Sequence, residues 1–453
     1  MRRVVALLSM CALSAGCSKG RGQLHRGPPP MVPVVAPDPH TPEARARRLV
    51  EQLRDRKFAA VREAFDPTMT ATITEAALGA TWDGIVNRAG RIERIESVVV
   101  DAEKDGFRVA RVKNEHSLHG LEVRVVFDRA SRVSGLWFEP RPPPWAPPAY
   151  VSPTAITDRP VDVAGLPGTL TLPKSRAGKA RAVLLVHGSG PNDRDETLGG
   201  RKPFRDLAEG LATKGLLVLR WDKRSKAAPE TLKGAFDQDA EVTADARAAV
   251  DLLSRTPEVD PKQIYLVGHS QGARMAPRIA SKEPRIAGLV LLAGDTRPFE
   301  ELLVDQHRYL LGLGGLVGAP LEERLAGIRK ECAIARDKKG DPAELVTIAG
   351  SKAPRQYWQD LLSYDPTVPA KALALPMLVM QGGRDYQVTK VDFDGWTKAL
   401  TRPGVVFRFH PPLDHHFVIG ESPSTPDDYK WSGHVAGEVV ADIAAFVLGT
   451  LAS

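Results

Sequence analysis

The sequence predicts an α/β fold with a mostly parallel sheet and helices on both faces, preceded by a small α+β domain. Three observations lead there. Short continuous apolar runs recur in the second part of the chain, at Ala182–Val186, Ile264–Val267, Leu289–Ala293 and Met377–Met380, the pattern of parallel strands buried on both faces. Each of the first, second and fourth runs opens into a loop carrying Gly with Ser, His or Asp, where open α/β sheets place their chemistry. Upstream, residues 107–112 and 121–127 alternate apolar and polar, the period-2 signature of half-buried antiparallel strands. At 453 residues the chain exceeds one typical domain.

Taken in order, Arg2-Arg3, an apolar stretch from Val4 to Leu13 and the small residues Ser14-Ala15-Gly16 precede Cys17. This is the layout of a signal peptide over 1–17, and its apolar core is too short for a permanent span. Small residues before a cysteine resemble the lipobox of bacterial lipoproteins, which implies lipidation at Cys17. Ser14 stands where that motif carries Leu, so plain secretion is the alternative. Residues 18–41, rich in Gly, Pro and basic side chains, read as a flexible tether. Of three cysteines, only Cys332 would remain unmodified in the mature chain, which excludes an internal disulfide.

The α+β domain is placed at 42–139. A helical pattern begins at Pro42, with Leu49, Leu53 and Phe58 spaced for one face, and Trp82 with Ile85 suggests another helix. From Ile92 to Phe138 the period changes to that of strands. His116 and His119 are expected on an exposed hairpin, without chemistry. Residues 140–152, with Pro140, Pro142-Pro143-Pro144 and Pro147-Pro148, read as a semi-rigid linker. The α/β domain then occupies 153–453. Residues 297–370 are longer than one crossover helix needs. With the apolar run 310–317 and Tyr357-Trp358, they read as a helical lid or, alternatively, as a packed core helix pair.

The motif that carries chemistry is Gly268-His269-Ser270-Gln271-Gly272, directly after the strand Ile264–Val267. It reads as the nucleophile elbow of a serine hydrolase, with glycines where a side chain would strike the flanking strand and helix. Downstream, Asp385 emerges just past the run ending at Gly382, and His415 follows the strand candidate Val405–Phe409, with His416 as the other candidate base. The order Ser, Asp, His suits a triad in which the histidine moves the proton and the carboxylate orients it. A metal cluster of His410, His415 and His416 lacks accompanying ligand spacing such as H-E-x-x-H.

The run Ala182–Val186 leads into His187-Gly188-Ser189-Gly190-Pro191-Asn192-Asp193-Arg194-Asp195-Glu196, and Leu216–Arg220 leads into Trp221-Asp222-Lys223-Arg224. With the elbow, these segments resemble the α/β-hydrolase superfamily, and specifically bacterial exported esterases with this loop. The resemblance covers residues 160–450. It implies an ester-cleaving enzyme with an acyl-serine intermediate on Ser270 and no cofactor or metal. It further implies an oxyanion hole from the N–H groups of Gln271 and of Ser189, or alternatively Gly190. Where that family continues after Arg224 with a glycine-rich loop, this chain has Ser225-Lys226-Ala227-Ala228. The upstream domain resembles the cone-shaped fold of nuclear transport factor two.

The same triad could serve a peptidase or thioesterase, and the scaffold could serve a binding protein. A net charge of +7 is spread over the whole chain without a basic cluster interleaved with aromatics, which argues against nucleic acid and for a mild attraction to anionic envelope surfaces. The expected partners are a small-molecule ester and, through a lipidated Cys17, a membrane surface. The expected location is the bacterial envelope, with Ser18 after Cys17 resembling outer-membrane sorting.

Overall fold

The computed structural model describes residues 38–176, 178–421 and 423–451. The signal segment, Cys17 and most of the tether lie outside the described residues. Among the described residues no helix is long and apolar enough to cross a membrane. The chain divides into two compact units, Met1–Pro140 and Arg141–Ser453.

The first unit places helices Pro42–Arg54, Phe58–Glu63, Pro67–Thr72 and Glu75–Ala89 before four strands: β1 Ile92–Val100, β2 Arg108–His116, β3 Gly120–Phe127 and β4 Val133–Arg141, in the sheet order β1-β2-β3-β4. Thr41 caps the first helix by accepting the Ala44 N–H, with Pro42 at the first helical position. One helix does not run on to Phe58. It ends at Arg54, and Arg56 adopts a left-handed φ of 59° before the next helix starts. Strand alternation buries Ala110, Val112, Leu121, Val123, Val125 and Phe127. The expectation for His116 is corrected: it closes β2 on the inward face, only 4% exposed, with Nδ1 2.8 Å from the Gly90 carbonyl oxygen. The same alternation that buries Val112 and Asn114 turns His116 inward. His119, by contrast, lies in the hairpin turn and is half-buried.

In the second unit the strands are β5 Ile156–Val163, β6 Leu166–Pro173, β7 Ala180–Val186, β8 Leu217–Trp221, β9 Val259–His269, β10 Ile286–Leu292, β11 Leu345–Ile348, β12 Ser351–Pro354, β13 Met377–Gly382 and β14 Val405–His410. Eight of them form one sheet in the order β14-β13-β10-β9-β7-β8-β6-β5. From β8 to β14 neighbouring strands are parallel, while β5 and β6 run antiparallel at one edge. Successive residues of β7, Val183, Leu184, Leu185 and Val186, are all buried, alternating between the cores on the two sheet faces. This is why the central strands read as continuous apolar runs. The parallel arrangement brings the carboxyl ends of β7, β8, β9, β13 and β14 to one rim.

Two segments add to this frame. The proline-rich stretch packs within the second unit: Trp145 donates Nε1–H to Asp206 at 2.9 Å beneath the Arg205 guanidinium, and the Tyr150 hydroxyl donates to the Val435 carbonyl at 2.8 Å. The insertion between β10 and β13 holds helices Phe299–Leu313, Ala319–Arg336, Arg355–Ser363 and Thr367–Ala372 with the β11–β12 hairpin. It packs its own apolar cluster around Leu325, Ile328, Cys332, Val346, Trp358 and Leu361.

Candidate active site

β9 ends at His269, and the helix Gln271–Lys282 begins one residue later. Ser270 makes the turn between them at φ 53°, ψ −115°, a strained geometry for a residue with a Cβ. Its N–H is held by the Leu292 carbonyl at 2.9 Å. A Cβ on Gly268 would strike the Gly272 carbonyl, and one on Gly272 would strike the Val186 carbonyl. Backbone cannot move aside as a flexible side chain can. Gly272→Ala is therefore expected to lower stability by about 2–3 kcal/mol, checked by denaturant unfolding.

Asp385 sits three residues past β13 and is buried. Its Oδ1 accepts the N–H groups of Gln387 at 2.8 Å and Val388 at 3.0 Å. Its Oδ2 accepts from Gln381 Nε2 at 3.1 Å and stands 2.6 Å from His415 Nδ1. The structure thus brings His415, five residues past β14, onto the carboxylate predicted to orient it. His416 points elsewhere: its ring lies edge-on to Tyr429 with centroids 4.7 Å apart, and its Nδ1 has no partner among the described residues. Burial, reinforced by the neighbouring His269, His415 and Arg201, holds the His416 ring well below the usual histidine range. His410 faces Glu438 at 3.3 Å. The three histidines therefore diverge rather than converge on one point.

Asp414 fixes the turn that presents His415. Buried, it accepts the N–H groups of His416 at 2.9 Å and Val418 at 3.1 Å, and it pairs with buried Arg201 at 2.5 Å. Arg201 also donates to the Asp428 carbonyl at 2.7 Å. A second tether comes from His269, whose Nε2 lies 2.9 Å from the His415 carbonyl oxygen and whose Nδ1 stands 3.0 Å from Glu196 Oε2. Burial alone would push His269 down, but the Glu196 carboxylate outweighs it and the ring titrates above its ordinary value.

The loop after β7 is knitted by charge. Arg194 makes a two-point pair with Asp222, both contacts at 2.9 Å. Asp195 meets Lys202 at 2.9 Å and Arg220 at 3.1 Å. Asp193 accepts the N–H groups of Asp195 and Thr197. Glu196, at a left-handed φ of 52°, turns back so that its Oε1 accepts the Gly188 N–H at 2.7 Å. Gly188 presses on the nucleophile, since a Cβ there would stand 3.3 Å from the Ser270 Cβ. Burial takes His187 down to about 4, so it is neutral between Phe204 and Trp221.

Sequence reasoning missed Lys223. It follows β8 by two residues and lies buried beside the elbow, donating to the Gly188 carbonyl at 2.9 Å and to Gln271 Oε1 at 2.7 Å, with Glu241 Oε1 at 3.5 Å. Burial pushes its ammonium below the ordinary lysine range, with Glu241 opposing. The Gln271 amide nitrogen donates in turn to Gln238 Oε1 at 2.5 Å and to the Tyr357 hydroxyl at 3.1 Å. Glu241 belongs to a π-helical turn, Asp239–Thr243, an irregularity common at functional sites. In sequence Lys223 stood in the Trp221-Asp222-Lys223-Arg224 segment that carries the family resemblance, just past the carboxyl end of a buried strand, with no role assigned to it. After Arg224 the chain forms a short helical turn, Arg224–Ala227.

The insertion is bolted to the nucleophile helix. Arg278 makes a two-point pair with Asp360, both contacts at 2.8 Å, and buried Arg274 bonds Asp295 and the Tyr364 carbonyl. Tyr357 and Trp358 divide roles: Tyr357 reaches Gln271 and Glu241, while Trp358 packs in the insertion's own core. A cavity of about 840 Å³ opens beside the acid loop, lined by Tyr309, Arg384, Tyr386, Pro411 and Pro412 among others, but not by Ser270.

Residues 179–323 match the family model described as serine aminopeptidase, S33, and residues 46–136 match a protein of unknown function, DUF3887. The chain is 35% identical over 406 residues to esterase EstD of Thermotoga maritima, covering 88% of this chain and 93% of that protein. It is also 35% identical over 132 residues to the putative esterase NocK of Nocardia uniformis, covering 28% of this chain and 36% of the relative. Among solved structures, Est1E from Butyrivibrio proteoclasticus with bound ferulic acid aligns at 17% identity and TM-score 0.44, over 64% of this chain and 98% of that one.

Proposed function

The chain belongs to the esterase family of α/β-hydrolases, and we propose that it cleaves carboxylic esters through an acyl intermediate on Ser270, with His415 as base and Asp385 as the carboxylate that orients it. The observation that carries this reading is the 2.6 Å contact between His415 Nδ1 and Asp385 Oδ2, on the rim that also holds the Ser270 elbow. With Nδ1–H donated to Asp385, His415 Nε2 is the free base. It takes the Ser270 proton as Oγ attacks the ester carbonyl, then returns that proton to the leaving alcohol. Water next attacks the acyl-serine, with His415 removing its proton and returning it to Ser270 Oγ as the acyl–oxygen bond breaks and the carboxylic acid departs. The N–H groups of Gln271 and Ser189 stabilise the oxyanion in both halves.

In Asp385→Asn the Oδ1 acceptor role survives, but an NH₂ would face both the Gln381 amide and His415 Nδ1. The imidazole is then driven to the wrong tautomer. The expected result is a fall in kcat of about 10³–10⁴-fold with an unchanged circular dichroism spectrum. Near-normal activity would remove Asp385 from the triad.

The small Gly188-Ser189-Gly190 loop and the apolar insertion favour short to medium acyl chains. Hydrolysis of p-nitrophenyl esters from acetate to palmitate tests this. An optimum at palmitate would contradict it, and turnover only of aminoacyl amides would move the reading to a peptidase, which the S33 match favours second. Export with a lipid anchor at Cys17 is part of the proposal. Palmitate labelling of the expressed chain, lost in Cys17→Ala, tests it.

A further inference from the structure

Lys223 is a buried cation that the triad does not use, and it touches both halves of the proposed oxyanion hole. The Gly188 carbonyl and the Ser189 N–H are the two ends of one peptide unit. In a trans peptide these ends point in opposite directions. Lys223 Nζ grips that carbonyl at 2.9 Å and Asn192 Nδ2 shares it at 3.1 Å. Holding the carbonyl on the lysine side fixes the Ser189 N–H on the other. The Lys223 ammonium against the carbonyl oxygen also polarises the peptide, which makes its N–H a stronger donor. The preceding His187–Gly188 peptide is pinned as well, because the Gly188 N–H is taken by Glu196 at 2.7 Å.

The same ammonium donates to Gln271 Oε1 at 2.7 Å, and Gln271 supplies the second N–H of the hole. Its third neighbour, Glu241 Oε1 at 3.5 Å, balances the buried charge. An ammonium has three protons, and here three acceptors surround it. Nothing in this geometry asks Lys223 to touch substrate.

We propose that Lys223 is the positioning residue of the oxyanion hole, orienting and polarising the Gly188–Ser189 peptide while locking Gln271. The proposal rests on the acyl-serine reading of the site. Because the lysine acts on donors that matter once charge has formed on the carbonyl oxygen, its removal weakens the transition state more than the ground state.

The test compares Lys223→Met, Lys223→Met/Glu241→Gln and Ser270→Ala with the full-length wild type on p-nitrophenyl butyrate. Rates are expressed per active site titrated with a fluorophosphonate. Lys223→Met is expected to lower kcat about 10²-fold, with KM within about threefold. Affinity for a trifluoromethyl ketone, which forms the tetrahedral oxyanion on Ser270, is expected to fall by the same factor as kcat/KM. The double variant removes the uncompensated Glu241 charge and is expected to regain thermal stability but not kcat. Recovery of wild-type kcat in the double variant would overturn the proposal, since the defect would then be the stranded carboxylate. So would a loss confined to stability, or to KM. If the wild type neither turns over esters nor labels at Ser270, the acyl-serine reading itself fails, a result distinct from an active wild type with an unaffected Lys223 variant.

Discussion

Ser270→Ala is expected to reduce ester turnover by about 10⁴-fold or more and to abolish fluorophosphonate labelling, with no change in the unfolding transition. The fold should not notice the change. Alanine keeps the Cβ, so the strain at φ 53°, ψ −115° is the same, and the N–H that bonds the Leu292 carbonyl is retained. Only the hydroxyl is lost. Residual catalysis would come from binding and the oxyanion donors alone. Turnover above a tenth of wild type would place the nucleophile elsewhere.

His415→Ala is expected to fall by a similar factor, while His416→Ala keeps kcat per active site within about tenfold of wild type. The two residues are adjacent, both buried, and indistinguishable by composition. What separates them is direction. His415 Nδ1 meets Asp385 at 2.6 Å and its carbonyl receives His269, so its ring is held against the carboxylate. The His416 ring packs edge-on to Tyr429 and is held neutral by burial. Removing it opens a cavity beside Tyr429, so its loss should show in thermal stability at a cost of about 2–4 kcal/mol. Side-by-side kinetics and melting curves of the two variants decide the matter. A dead His416→Ala beside an active His415→Ala would reverse the assignment.

Much of this site was legible because its chemistry sits at the ends of strands with a clear pattern. Gly268, Gly272 and the positive φ of Ser270 follow from the tightness of one local turn, which a pentapeptide expresses completely. The candidate acid and base stood out because each follows a short apolar run by a few residues. The charged residues of the loop 187–196, by contrast, look like ordinary solvated side chains in sequence. Their partners, Asp222, Lys202, Arg220 and His269, come from other segments. His116 was misread for a related reason: proximity to a hairpin suggested exposure, and only the strand phase turned it inward.

By itself the sequence determined the α/β fold class, the buried parallel strands, the elbow and the candidates for the triad, because each is a local or periodic property of the chain. The tertiary structure alone decided which buried charges meet. Lys223 lies 48 residues from Gln271 in sequence and 2.7 Å from it in space, and Arg201 reaches Asp414 across 213 residues. Such pairs are set by loops and helix starts that the parallel strands bring to one rim, which no local pattern in the chain records.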